Sequence, residues 1–266
     1  MTNVAVLGVS GRMGRCLVRA IRESSDFVLT GALASPASTA LGRDAGEVAQ
    51  TGPVAVEVSA RREVALANAG IAIDFTLPEA VPENLAAMER AGIPWVIGIT
   101  GLDAARNAQI RRASERLPVL VAPNMSLAVN LLFGLVGRAA ASLPADYDVE
   151  ILEAHHRHKA DAPSGTALRL GEIVAGSRGG TLADQAVYGR LGKSVGRGAG
   201  TIGFSSLRGG DIVGEHHVLF AGTGETLELV HRTTDRMTFA YGALAAARWL
   251  VGRPPGLYGM SDVLGL

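Results

Sequence analysis

Cysteine is nearly absent from the chain. Cys16 is the only one in 266 residues, so no intrachain disulfide can form, which suits a reducing compartment. Cys16 falls in a helical pattern and reads as a small core residue rather than a nucleophile. Excess charge is absent too. The 25 basic residues balance 25 acidic ones, which gives no support for a nucleic-acid partner or a membrane surface. No apolar run is long and uncharged enough to suggest a bilayer span. The most apolar stretch, residues 125–143, carries Asn130 and Arg138 and reads as a buried or half-buried helix. No signal-peptide pattern precedes the strand-like run Val4–Leu7, and no internal repeat or disordered tail is visible. Aromatics are scarce at 5% while glycine reaches 34 residues, as in a tightly layered α/β fold. The expectation is a soluble, cytoplasmic protein of enzyme size.

What is present begins with alternation. Val4–Leu7, Phe27–Leu33, Val54–Val58, Ile71–Phe75, Pro94–Gly98 and Val119–Val121 are short apolar runs, as expected of strands buried on both faces. Helical patterns separate most of them: one through Cys16, Leu17, Ala20 and Ile21, then Arg62–Ala69, Pro78–Ala91, and a charged helix capped by Asp103 and running to Arg116. Residues 38–52 read as a loop or irregular helix. This order predicts a parallel sheet with helices on both faces, with ligands bound beyond the carboxyl ends of the strands.

The first strand–helix junction reads Gly8-Val9-Ser10-Gly11-Arg12-Met13-Gly14. Glycines let a backbone approach phosphate, and the N–H groups of a helix start face the anion. The spacing is G-x-x-G-x-x-G, with Ser10 where a second glycine is usual; a tight turn without ligand is the competing reading. The second strand ends at Ala34-Ser35-Pro36, with no carboxylate to bind a ribose. An acid there would favour NADH and repel a 2′-phosphate. Its absence, with Ser35 and Arg12 as donors, tilts the expectation toward NADPH and leaves NADH open. Gly98-Ile99-Thr100 and Ala122-Pro123-Asn124-Met125 close later strands at the same edge. Thr100 and Asn124 are placed to contact a nicotinamide or ribose, or to close their own loops.

The rhythm changes after Met125. A long helix to about Ala141, a strand over Tyr147–Ala154 and a helix from Thr166 to about Ala175 lead to a glycine-rich stretch, residues 176–200, which reads as an ordered loop or flap. Strands follow at Thr201–Leu207, Glu215–Phe220 and Glu225–His231. The last two alternate as in a half-buried sheet, around the tight connection Gly222-Thr223-Gly224. A final helix, Met237–Val251, is apolar enough to pack back on the first half. The expected organisation is residues 1–126 with 236–266 as one domain and 127–235 as a second domain with a mixed or antiparallel sheet.

Within the second of these lies Glu153-Ala154-His155-His156-Arg157-His158-Lys159-Ala160-Asp161-Ala162-Pro163-Ser164-Gly165-Thr166. Half of the six histidines stand here, and basic residues occupy 155–159 without a break. A fold does not need so many protonatable groups together, since each must be solvated or paired. Cations beside a helix start, with Ser164 as its cap and N–H groups near Gly165 and Thr166, suit a substrate bearing carboxylates. A histidine that titrates near neutrality suits proton transfer. The competing readings are a solvated basic loop and a metal site. Arg157 and Lys159 would repel a divalent cation, so no metal is expected.

These residues resemble the 4-hydroxy-tetrahydrodipicolinate (dihydrodipicolinate) reductase family. E-A-H-H-R-H-K-x-D-A-P-S-G-T at 153–166 carries the resemblance most specifically. The glycine loop at 8–14, V-I-G-x-T-G at 96–101, A-P-N-M-S at 122–126, G-E-H at 214–216 and R-M-T-F-A at 236–240 agree with it. The resemblance covers essentially the whole chain. It implies a Rossmann-like parallel-sheet dinucleotide domain and an α+β substrate and oligomerisation domain with a mixed sheet. It implies NADPH- or NADH-dependent reduction of a small cyclic dicarboxylate in lysine and diaminopimelate synthesis, by a homotetramer joined through the second sheet. It implies that His155 is a proton donor and acceptor, that Lys159 is a proton donor, and that His156, Gly165 and Thr166 bind substrate. Cofactor contacts map to Gly8, Val9, Ser10, Gly11, Arg12 and Met13, to Gly98, Ile99 and Thr100, and to Ala122, Pro123, Asn124 and Met125. Ala34-Ser35 departs from the acid that the family often carries. Another two-domain NAD(P) enzyme acting on an amino-acid-like substrate, and a nucleotide-sensing binding protein, share the first half of this reading.

Overall fold

A computed structural model describes residues 1–193 and 196–266. Its strands are, in chain order, β1 (Thr2–Leu7), β2 (Phe27–Leu33), β3 (Val58–Ser59), β4 (Ile71–Asp74), β5 (Trp95–Ile97), β6 (Pro118–Val121), β7 (Asp148–His155), β8 (Ala186–Val187), β9 (Ile202–Arg208), β10 (Gly214–Gly222), β11 (Glu225–Thr233) and β12 (Gly256–Tyr258). The chain divides into two compact units, residues 1–127 with 236–266 and residues 128–235. Among the described residues no helix is long and apolar enough to cross a membrane.

The first unit is built on a sheet of order β12-β6-β5-β4-β1-β2-β3, parallel throughout. This is the Rossmann-like arrangement, and the physical reason is visible strand by strand. Val4–Leu7, Ile71–Ile73 and Trp95–Ile97 are fully buried, because helices cover both faces and leave no polar side to alternate with. One face packs the helices Arg12–Glu23 and Met237–Leu250, through Leu17, Ile21, Ala243 and Leu250. The other packs Val81–Ala91 and Ala104–Ser114, through Met88 and Ile110. Asp103 accepts from the Arg106 amide and caps the latter helix, and Pro82 stands in the first turn of the former.

The run 54–58 does not form the expected strand. Only Val58–Ser59 pairs, with β2. The Asp44 carboxylate accepts the amides of Val54 and Val56 besides capping the helix Ala45–Val48 at Gly46 and Glu47. Ala55 takes φ +57. The segment curls round one carboxylate instead of extending along a neighbour. β12 and the helix Met260–Leu264, for which no sequence expectation stood, add an edge strand beside β6 and its cover.

The second unit holds a mixed sheet of order β11-β10-β7-β9-β8. β7 runs parallel to β9 and antiparallel to β10. The helices Leu127–Ser142 and Gly165–Ser177 cover one face, through Leu132, Val136, Leu170 and Val174 against Val149, Ile151, Phe204 and Val218. The hairpin β10–β11 turns at Thr223-Gly224, with Gly224 at φ +85. β10 alternates as expected. β11 does not, because it is the edge strand: residues 225–228 are all exposed. The stretch 176–200 is less irregular than expected. The helix Gly165–Ser177 runs into it, and Leu182–Gln185 and β8 lie within it. Arg190 and Arg197 pair there with Glu150. The loop reading also took in residues 194–195, which lie outside the described residues.

Candidate functional site

All strands of the first sheet share one direction, so their carboxyl ends form one edge. There the structure gathers Gly8–Met13 after β1, Ser35 after β2, Gly98–Thr100 after β5 and Ala122–Met125 after β6. The glycines are required. Gly8 sits at φ +85, and a Cβ on it would stand 2.8 Å from the Phe75 carbonyl oxygen. A Cβ on Gly14 would stand 2.2 Å from the Gly8 carbonyl oxygen, and one on Gly98 would enter the Phe75 ring. Gly11 is the N-cap of Arg12–Glu23 and offers no side chain to the first turn. An uncapped helix start behind a turn bounded by Gly8 and Gly11 fits the pyrophosphate of a dinucleotide.

Val9, Ile99, Ala122 and Met125 are buried, so they can meet a ligand only through their backbone. Ser10 and Met13 are half-buried, and Gly11, Arg12, Ser35, Thr100 and Pro123 are exposed. Asn124 accepts the Ser126 amide and so shapes its own turn. Asp74, at the end of β4, is fully buried. It accepts from the Thr76 amide at 2.9 Å, the Thr76 hydroxyl at 2.7 Å and the Asn84 amide at 2.9 Å. Burial still pushes its carboxyl above the usual range, and it holds the turn after β4.

The histidine stretch belongs to the second unit. β7 ends at His155, and the chain then turns, with the Lys159 amide donating to the His156 carbonyl. Glu153 is fully buried and His155 nearly so. The His155 Nδ1 lies 2.5 Å from Glu153 Oε2. Arg208, from β9, grips both oxygens of Glu153 at 2.8 and 2.9 Å. Burial works to raise the Glu153 carboxyl, but Arg208, Ser206 and His155 together hold it below its usual range. Burial lowers His155; Glu153 opposes this, while Lys159 and Arg208 add to it, and the net shift is downward. His155 is therefore neutral near pH 7. Lys159 pairs with Asp161 at 2.9 Å.

Ser164 caps Gly165–Ser177, accepting from the Ala167 amide. Its hydroxyl shares a hydrogen bond with His216 Nε2 at 3.0 Å. The first position of that helix is Gly165, whose amide has no acceptor within the helix; a Cβ there would meet nothing within 4 Å. Thr166 follows, half-buried. His156 is half-buried, and its Nδ1 is buried with no hydrogen-bond partner. Arg157 and His158 are exposed. Among the described residues no group of three or more His, Cys, Asp or Glu side chains is placed to hold a metal ion.

Three residues that the structure brings into this cluster had no role in the sequence reading. Glu153 stood in the motif without a role. Arg208 reaches Glu153 from 55 residues away, and His216 reaches Ser164 from 52; the G-E-H triplet signalled His216 alone, and nothing signalled Arg208. His216 is nearly buried, and its ring meets His155 edge-on at 5.2 Å. Burial, then the nearby His155, pushes it down to about 3. Between that value and the ordinary 6.5 only the unfolded chain takes the proton, so stability falls as pH falls through this window. The expected loss is about 3 kcal/mol between pH 7 and pH 4 from this residue alone. Urea midpoints against pH should fall more gently in His216→Phe than in the parent. Equal slopes would remove His216 as the cause.

Comparison with known proteins matches both halves. The model described as dihydrodipicolinate reductase, N-terminus, matches residues 2–125, and that of the C-terminus matches residues 128–264. The 4-hydroxy-tetrahydrodipicolinate reductase of Pseudomonas fluorescens (strain Pf0-1) is 50% identical over 267 residues, covering 100% of both chains. That of Thiobacillus denitrificans is 53% identical over 263 residues, covering 99% of this chain and 98% of its own. The solved structure of dipicolinate-bound dihydrodipicolinate reductase from Paenisporosarcina sp. TG-14 is 25% identical with TM-score 0.80, over 98% of this chain and 99% of that one. An amine dehydrogenase from Mycobacterium smegmatis, 14% identical with TM-score 0.57 over 96% and 94%, shares the fold alone.

Proposed function

The chain belongs to the dihydrodipicolinate reductase family, and on that premise we propose which of its residues carry the reaction. The protein reduces 4-hydroxy-tetrahydrodipicolinate to tetrahydrodipicolinate with NAD(P)H, in lysine and diaminopimelate biosynthesis. Residues 1–127 with 236–266 are the dinucleotide-binding domain, and residues 128–235 bind the substrate. NAD(P)H, when bound, supplies a hydride. Gly8, Val9, Ser10, Gly11, Arg12 and Met13 hold its phosphates, while Gly98, Ile99, Thr100, Ala122, Pro123, Asn124 and Met125 position its nicotinamide half. What supports this is the side-chain-free, uncapped helix start at Gly11.

The substrate carries two carboxylates. Gly165 and Thr166, at the start of a helix whose Ser164 hydroxyl serves as cap, hold one of them; His156, with its unpartnered buried Nδ1, contacts the substrate beside them. Lys159 is a cation one turn beyond His155, and it donates the proton as negative charge develops on the substrate ring. His155, neutral near pH 7, exchanges protons through Nε2. The observation that carries this division is the pairing of His155 Nδ1 with the buried Glu153 carboxylate, which leaves one ring nitrogen for chemistry.

A coupled assay that generates the substrate in place, following NADPH and NADH separately, tests the reading. Oxidation of neither, under conditions that support a known reductase, would sink it. NADPH is the favoured donor and NADH is also used, because no acid closes β2. Ser35→Asp should move the ratio of kcat/KM values toward NADH by about tenfold or more, through repulsion of the 2′-phosphate. An unchanged ratio would exclude Ser35 from the cofactor site. The protein acts in the cytoplasm as a homotetramer joined through the second sheet. The face of that sheet opposite the helices carries Leu207 at 55% exposure and Val230 at 39%, apolar groups that a subunit contact would cover.

A further inference from the structure

We propose that Glu153 is a positioning residue that sets which nitrogen of His155 does the chemistry and ties that ring to the start of the substrate-holding helix. The proposal rests on the reading of His155 as the proton-exchanging group.

Glu153 lies on the same face of β7 as His155, two residues earlier, and has no exposed surface. Its two oxygens take four donors besides the Ser206 side chain. Oε2 takes His155 Nδ1 and Arg208 Nη1; Oε1 takes Arg208 Nη2 and the Ser164 amide, the last at 3.3 Å. Arg208 is held in turn by the carbonyl oxygens of Asp161 and Leu207. A buried carboxylate without an opposing charge is costly; the bidentate fork answers the charge and fixes the plane of the carboxylate.

An ionised carboxylate only accepts hydrogen bonds, so Nδ1 must carry the hydrogen. In the neutral ring the lone pair is then on Nε2. Gly214, on β10, leaves that nitrogen room: a Cβ there would stand 3.1 Å from it. The same carboxylate holds the Ser164 amide, one residue before Gly165. One anchor thus orients the proton-exchanging ring and the seat for the substrate carboxylate.

The charged and titratable groups around His155 are Glu153 on its own strand, Arg208 on β9, Lys159 in the following turn with Asp161 on it, and His216 on β10 with His231 opposite it on β11. Only Glu153 raises His155; Lys159 and Arg208 lower it. Removing the Glu153 charge therefore moves the His155 titration down.

The test is imidazole 15N spectroscopy of the full-length protein, with His155 assigned by its loss in His155→Gln. The parent should show the Nδ1–H form of His155 at neutral pH; an Nε2–H form there overturns the proposal without any Glu153 variant. Glu153→Gln should mix the two forms, move the His155 titration to lower pH and reduce kcat about 10–100-fold, the usual scale for losing an orienting partner. NADPH affinity should stay within about threefold of the parent. Glu153→Gln/Arg208→Gln removes both buried charges and keeps the experiment open if the single variant unfolds. A folded variant with the parent's tautomer and pH profile overturns the proposal, since a merely structural Glu153 would change only the melting temperature. Should His155→Gln itself retain turnover, the role of His155 in the reductase would fail while the tautomer result still judged Glu153.

Discussion

Replacing Lys159 by alanine lowers kcat by about 10²–10³-fold and leaves NADPH affinity within about threefold of the parent. Lys159 is the cation that follows the turn closed onto the His156 carbonyl, and its partner Asp161 is 59% exposed. Losing the ammonium strands no buried charge, so the fold should persist and the effect should fall on turnover. The Lys159 ammonium holds the Asp161 carboxyl below its usual range, so Asp161 should titrate higher in the variant. Lys159 also depresses His155, so its removal lets His155 rise, and the limb of the pH–rate profile that reports His155 should move to higher pH. Steady-state rates across pH measure both effects. Turnover within about twofold of the parent would remove Lys159 from proton transfer.

His155→Gln has the larger expected effect, about 10²–10⁴-fold in kcat, because it removes the ring nitrogen to which proton exchange is assigned above. Glutamine still offers Glu153 an N–H, and Glu153 keeps both bonds to Arg208, so the buried charges stay matched. Acid tolerance should improve slightly. His155 titrates below its ordinary value in the fold, so the folded parent binds fewer protons than the unfolded chain as pH drops below about 6.5. The variant lacks that deficit. The limb of the pH–rate profile assigned to His155 should vanish with the rate. A surviving limb would assign it to another group, and His216, pushed down to about 3 by burial, lies too low to supply it near neutrality.

Much of the fold was legible because it rests on local patterns. Short apolar runs separated by helical periods could be read as a doubly covered parallel sheet, since strands buried on both faces need no polar alternation. Asp103 and Ser164 announced helix starts because a cap is chemistry within three residues. Gly222-Thr223-Gly224 announced a hairpin. Local patterns misled at residues 54–58. There the apolar run is real, but Asp44, ten residues earlier than Val54, claims the amides that a strand would share with a neighbour. β11 misled for a related reason. Its alternation matches β10, but an edge position leaves both of its faces accessible.

The candidate site divides in the same way. The sequence alone determined the glycine turn, the basic cluster and the helix start that follows it, because each is a run of neighbouring residues with its own chemistry. It also determined the family. Only the tertiary structure decided the tautomer and charge of His155. Those depend on a carboxylate made ionic by Arg208, 55 residues away, and on burial shared with His216 from another strand. Burial and pairing across strands belong to the assembled sheet rather than to any stretch of chain, and they separate a basic cluster from a site in which one histidine nitrogen is left for chemistry.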